Sequence, residues 1–345
     1  MSPCRSMPSR SGRGCRALLI AFLLLLLSLS AGAHVPVVLG EGHDPAARTV
    51  PDPLKSWAFY ATLPGAGEPD LFRFEMHRGD RLGVSLQVPD ARGPVPVLVV
   101  VGPGLSSSGI PPPGVEVPPG SSAVVLEGVR PPRPSYEPFA PGASYPVAAL
   151  DTVVNADGEY RVAVVGTGED TRYGLAIGYR EEFSPLEWVM VPLSVLQARV
   201  NEGQHPALAL APLLLVLVSG LLLLAIRRKD DPRLHSAAGW CAATAGLLML
   251  GSAAGTLVQM GMALAITGLA ATAVVTVIFI LLSALPGILC LRVALARTPG
   301  WGRRDRVILL ASALLAIAAW SGLLAGPLLA LAAAALARPR PVHAA

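Results

Sequence analysis

His34 has the sharpest chemistry within reach of this chain. It follows Ser30-Ala31-Gly32-Ala33, and before that an apolar run over residues 17–29 preceded by Arg5, Arg10, Arg13 and Arg16. A positive leader, a short apolar core and an Ala-x-Ala site predict a secretory signal peptide over residues 1–33; an uncleaved anchor helix is the alternative. Cleavage after Ala33 would leave His34 at the new terminus, offering a free amine and an imidazole to one metal ion, with copper the fitting choice. A second ligand would have to come from His43, His77 or His205. Met76 and His77 are adjacent, but on a strand neighbours point to opposite faces. The plain alternative is that His34 is an ordinary first residue.

Two further sets of side chains could bind. Asp151, Asp157, Glu159, Glu169 and Asp170 gather near turns and could offer oxygen ligands to calcium, or simply be solvated surface. Tyr136, Phe139 and Tyr145 stand in a stretch, residues 102–146, that holds twelve Pro and seven Gly. Long loops on a rigid frame often carry binding, so these rings are candidate ligand contacts; the alternative is that they pack the loop onto its own domain. Other chemistry is missing. There is no His-Glu-x-x-His, no Gly-x-Ser-x-Gly, and only Lys55 and Lys229 among lysines, which excludes a P-loop. No catalytic residue is assigned.

The elements that would position these groups follow from period-two alternation. Phe72, Phe74 and Met76 alternate with Arg73, Glu75 and His77; Leu82, Val84, Leu86 and Val88 alternate with polar neighbours. Arg78-Gly79-Asp80 between them predicts a hairpin turn. Residues 159–165 and 172–179 predict a second hairpin, and residues 95–101 a strand buried on both faces. With residues 57–63 and 123–127, about seven strands predict an all-β, antiparallel sandwich over residues 34–182. Proline removes ladder donors, so residues 102–146 predict an ordered excursion with one or two short strands.

The strand pattern carries a resemblance. "DLFRFEMHRGDRLGVSL", "PVLVVVGPG", "GEYRVAVVG" and "RYGLAIGY" resemble the bacterial pre-peptidase C-terminal domain, which implies a jelly-roll-like, generally non-catalytic module over about residues 57–180. "HVPV", "DPLKSWAFY", "YEPFAP" and "LAIGYREEF" are similar to a family of uncharacterised archaeal membrane-anchored surface proteins, a resemblance that brings no activity with it. The terminal His34 on a β-sandwich also resembles the histidine brace of lytic copper monooxygenases.

Charge separates the chain into unlike parts. Residues 34–205 carry 12 Lys/Arg against 20 Asp/Glu, whereas residues 206–345 carry eleven basic residues against Asp230, Asp231 and Asp305. An acidic external domain repels phosphate backbones, which argues against nucleic acid. That domain contains no Cys, so an apolar core must hold it.

Residues 183–206 form a juxtamembrane connector, read either as a short helix starting at Pro192 or as an edge strand over residues 188–191. Apolar stretches over residues 207–226, 237–258, 263–291 and 307–336 each reach the ~17–25 residues that cross a bilayer, predicting an all-α transmembrane bundle of about four helices and a tail, residues 337–345. Pro286-Gly287 and Gly326-Pro327 are the expected breaks. Basic loops at residues 227–236 and 292–306, with an uncharged loop near Gln259, place the former in the cytoplasm. Gly251–Gly255 and Gly322–Gly326 have spacings that permit close helix approach. No Asp, Glu, Lys, Arg or His lies inside the stretches, as pumps and proton-coupled carriers would need.

The sequence therefore predicts a non-enzymatic, multi-pass protein of the cell membrane with an extracellular domain. Its partners would be membrane lipid and an envelope polymer or membrane protein. An accessory subunit of an export, processing or respiratory complex is the second reading, and a copper-binding protein using His34 the third.

Overall fold

The computed structural model describes residues 34–41, 47–65, 69–298 and 300–337. The expected signal peptide, His43 and the expected tail from Arg338 lie outside the described residues. Among the described residues the chain divides into a strand-bearing unit, residues 34–209 with Gln259–Ala273, and a helical unit, Leu210–Val258 with Val274 onward.

The strands are β1 (Val35–Glu41), β2 (Arg48–Thr49), β3 (Trp57–Leu63), β4 (Asp70–Met76), β5 (Arg81–Val88) and β6 (Val97–Pro103), then β7 (Ser121–Leu126), β8 (Ser135–Glu137), β9 (Gly142–Val153), β10 (Gly158–Val165) and β11 (Thr171–Ile177). They form two sheets, ordered β1-β3-β11-β5-β9-β8 and β2-β4-β10-β6-β7. Both are mixed, because the edge strands β1 and β2 run parallel to β3 and β4. This corrects the expectation of a purely antiparallel arrangement.

The alternating residues fall as their pattern requires: Phe72, Phe74, Met76, Leu82, Val84, Leu86 and Val88 are all buried. Neither expected hairpin forms. β4 pairs with β2 and β10, and β5 with β11 and β9. Likewise β10 lies between β4 and β6, while β11 lies between β3 and β5. The physical reason is that alternation fixes which face of a strand is apolar and says nothing about which strand lies at its edge. At residues 77–80, Asp80 accepts from His77 N (2.9 Å) and Gly79 adopts φ 94°, so the chain leaves one sheet and joins the other. The apolar faces of β4 and β5 then meet in a shared core instead of lying side by side.

That core joins Phe59, Leu63, Leu86 and Leu175 of one sheet to Phe72, Phe74, Leu98 and Val162 of the other. Two tyrosines are fully buried within it, and each hydroxyl has a partner: Tyr160 donates to Pro103 O (2.6 Å) and Tyr173 to Asp70 (2.6 Å). β6 is buried on both faces as expected. Val99 and Val101 form a second cluster with Ala123, Ala163 and Val165, covered in part by Val115 from the Pro-rich excursion.

Helix α1 (Pro185–Asn201) follows the strands and packs on β1 and β3. It starts at Pro185, with Pro192 in its interior, and so replaces both readings of the connector. Ser184 and Glu187 form a capping box. Glu187 also pairs with Lys55 Nζ (2.7 Å), which lies 4.5 Å from the Trp57 ring centre, fastening the helix start to β3.

The helices after α1 are α2 (Pro206–Arg227), a 3₁₀ turn (Pro232–His235), α3 (Ala237–Thr267), α4 (Ala273–Ala294), α5 (Arg303–Ala318) and α6 (Ala325–Leu336). α2, α3 and α4 are long and apolar enough to cross a membrane. α3 continues through Gln259 to Thr267, where the sequence suggested a loop. Pro286-Gly287 does not break α4; a Cβ on Gly246 would lie 2.7 Å from Gly287 O, so these glycines let α3 and α4 approach closely. The stretch 307–336 is two helices, reversing at residues 319–324 and not at Gly326-Pro327. Arg233, 3% exposed, holds the loops together. It donates to Val293 O (2.7 Å), Thr298 O (2.9 Å), Gly300 O (2.8 Å) and Asp305 (2.9 Å), with the Trp301 ring 4.7 Å away.

Candidate functional site: an ionisable cluster at the end of helix α1

Strand periodicity sets the floor of this site. Phe59, Ala61 and Leu63 belong to the core, so Tyr60 and Thr62 face the other side of their sheet. Thr62 is paired with Arg172, and Tyr60 with Gly174, which is paired in turn with Gln87. Ser144 donates to Gln87 Oε1 (2.8 Å), carrying the polar surface on to β9. Arg172 makes a two-pronged contact with Asp90 (3.0 and 3.2 Å). The end of α1 lands on this surface: a Cβ on Gly203, which has φ 94°, would lie 1.6 Å from Arg172 Nη1. The left-handed backbone at Gly203 favours glycine, and the missing side chain leaves the guanidinium its place.

The landing brings Arg199 and Glu202 of the α1 end into the field of Tyr60 and of Glu137 on β8. Burial raises the Glu202 carboxyl to about 7; Arg199 opposes the shift, Glu137 adds to it, Arg172 opposes it and Asp90 adds to it. Burial likewise raises Glu137 to about 7, against a hydrogen bond from Phe139 N (3.1 Å). Glu202 is the better shielded of the two, since Glu137 keeps solvent along its side chain. Tyr60 is pushed upward by burial, then by Glu202 and Glu137, so its phenol stays protonated. Burial pulls Arg199 downward, opposed by Glu202 and Tyr60. Two carboxylates that feel one another, a neutral phenol and two guanidinium groups can take up or release a proton near neutrality and can hydrogen-bond a polar ligand. Sequence reasoning missed this cluster. Its members are scattered from Tyr60 to Glu202 with no shared spacing, and only the fold brings them together.

The residues singled out by sequence are dispersed. The His34 ring contacts the Ser56 hydroxyl, and the residue itself is exposed. His77 is exposed, 3.7 Å from Asp157. His205 accepts from Ala207 N (3.2 Å) at the start of α2. No group of three or more His, Cys, Asp or Glu able to hold a metal occurs among the described residues.

Four of the five turn carboxylates are engaged singly: Asp151 with Arg81 (2.8 Å), Glu159 with Arg161 (2.6 Å), Asp157 with Arg78 N (2.7 Å) and Asp170 with Gly65 N (2.8 Å). The fifth, Glu169, offers its backbone oxygen to Thr171 (2.9 Å). Tyr136 and Phe139 are half-buried, flanking Glu137. Tyr145, 8% exposed, belongs to the core, with Arg130 5.9 Å from its ring centre.

No protein-family model matches the chain, and comparison with curated proteins finds no relative.

Proposed function

We propose that this chain is a non-enzymatic binding protein of the cell membrane. In this reading the two sheets make a jelly-roll-like sandwich on the outer side, and α2, α3 and α4 cross the bilayer. The sandwich recognises an envelope polymer or a partner protein. One observation carries the reading: an acidic strand unit is followed, with only residues 202–205 between α1 and α2, by a helix long and apolar enough to cross a membrane. The resemblance to pre-peptidase C-terminal domains points the same way. So does the use of the turn carboxylates, four of which serve as partners for arginines or backbone amides within the fold.

A second reading is favoured by one observation. A single helix is enough to anchor a domain, yet three here have the length to cross. That surplus fits an accessory subunit of a membrane complex.

The test uses the full chain in mild detergent. Co-sedimentation with purified envelope polymer is the expected result. Turnover of peptide, ester or glycoside substrates overturns the non-enzymatic reading. Migration in native gels as part of a larger, defined assembly favours the accessory subunit.

A further inference from the structure

Helices α5 and α6 fold back on each other. Arg306, in the first turn of α5, donates to Ala334 O in the last turn of α6 (3.1 Å), so the two run antiparallel and both outer ends lie together. Arg233 ties that same end to the loop before α3 and the loop after α4 through Val293, Thr298, Gly300 and Asp305.

The tip of the pair, residues 319–324, reaches only the middle of its neighbours. Gly322 N donates to Ser252 Oγ (2.9 Å), midway along the 31-residue α3, and Ser321 Oγ contacts Ser283 O (3.5 Å), midway along the 22-residue α4. The tip is not helical. Trp320 (φ 52°), Gly322 (φ 73°) and Leu323 (φ 53°) are left-handed, an arrangement that two non-glycine residues adopt only where packing imposes it. Ser321 is fully buried, and Trp320 stacks on Phe279 with ring centres 5.7 Å apart.

We infer that α5 and α6 form a re-entrant hairpin, entering the membrane from the basic end, turning at mid-depth and returning the chain to the side it came from. The inference rests on the reading that α2, α3 and α4 cross the bilayer. Length supports it: α5 has 16 residues and α6 has 12, or about 24 and 18 Å at ~1.5 Å per residue, against a hydrocarbon core of ~30 Å. Backbone chemistry supports it too. Non-helical chain at membrane depth survives only where protein satisfies its polar groups, and here Gly322 N bonds to Ser252 Oγ while Ser321 N bonds to Ala316 O (2.8 Å). Charge completes the case. Arg227, Arg228, Lys229, Arg297, Arg303 and Arg304 flank these loops, and an even number of half-crossings adds Arg338 and Arg340 to the same side.

The experiment uses the full chain in sealed vesicles, with one epitope per variant: in residues 228–231, in residues 268–272, or after Ala345. The expected result is that protease treats the terminal epitope like the one at 228–231 and opposite to the one at 268–272. A terminal epitope that follows 268–272 overturns the hairpin while leaving three crossings intact. Extraction of the untagged protein by alkaline carbonate, or identical treatment of all three epitopes, overturns the crossing reading itself and the hairpin with it.

A second measurement does not depend on tags. Arg306→Cys with Ala334→Cys is treated with a short bis-maleimide linker and read by mass spectrometry. The hairpin gives the intramolecular cross-link. One continuous helix would hold these positions about 42 Å apart at ~1.5 Å per residue, out of the linker's reach, and leave them unjoined.

Discussion

Arg233 in the helical unit and Glu202 in the strand unit are both charges drawn away from water, and the protein treats them in opposite ways. Arg233 is enclosed by three carbonyl oxygens, a carboxylate and an indole ring, so every prong of its fork has an acceptor. Glu202 faces arginines, but it also faces Glu137 and Asp90, and its carboxyl is raised to about 7. A buried charge whose partners are complete fixes geometry. One whose partners are divided becomes a titrating group. The first arrangement makes a permanent joint between loops, and the second makes the α1 landing sensitive to protons.

The largest break of that contrast is Arg233→Met. It leaves Asp305 with Gly302 N as its remaining partner and takes a donor from three carbonyls, and the helical unit should lose about 3 kcal/mol, the lower end of the scale for a buried pair with one partner removed. Thermal unfolding of the full chain in detergent measures it. Arg233→Lys should recover little, because an ammonium cannot reproduce the fork.

The next effect is a pH profile. Glu202 holds its proton more tightly in the folded state than in the unfolded chain. Its contribution to stability is therefore fully present below the ordinary carboxyl range and is lost as pH rises through about 7. Glu202→Gln should flatten the fall in melting temperature between acid and mildly alkaline pH. It should also leave the variant more stable than the parent at the alkaline end. An unchanged profile would show that the α1 end does not titrate as a unit.

Smaller still is Lys55→Met, which removes the partner of Glu187. The two side chains are 13% and 24% exposed, so a loss of about 1 kcal/mol is expected from melting of the strand unit. The smallest effect concerns His34. Placing one extra residue before it should leave copper affinity, measured by calorimetry, essentially unaltered, since the ring already engages Ser56. A marked loss on extension would instead restore the metal reading.

The sequence made some of this architecture readable and hid the rest, for reasons that can be named. Alternation at residues 72–76 and 82–88 identified strands and their buried faces, because burial on one face imposes a period of two. It could not reveal that β4 and β5 belong to different sheets, since both pairings bury the same side chains. The run of apolar residues from 307 to 336 looked like one crossing because Trp320, Ser321 and Gly322 barely interrupt its hydropathy; the reversal depends on Ser252 and Ser283, which are remote in sequence. The rings of Tyr136 and Phe139 drew notice in the excursion, while Glu137 between them carried the shifted group. A lone acid in a Pro-rich stretch has no spacing to mark it, and its environment comes from β3 and the end of α1.

The strand order also sets a timetable. β10 and β11, the last strands to be made, occupy interior places in their sheets, each between two strands synthesised long before. The sheet that holds β11 cannot be completed until residue 177 has emerged, nor the other until residue 165, although pairs such as β5–β9 and β6–β7 can form before then. Such long-range closure is slow and leaves the chain open to aggregation meanwhile. In the proposed topology that delay would favour export, because the central pairings of both sheets are out of reach until nearly all of the domain has crossed.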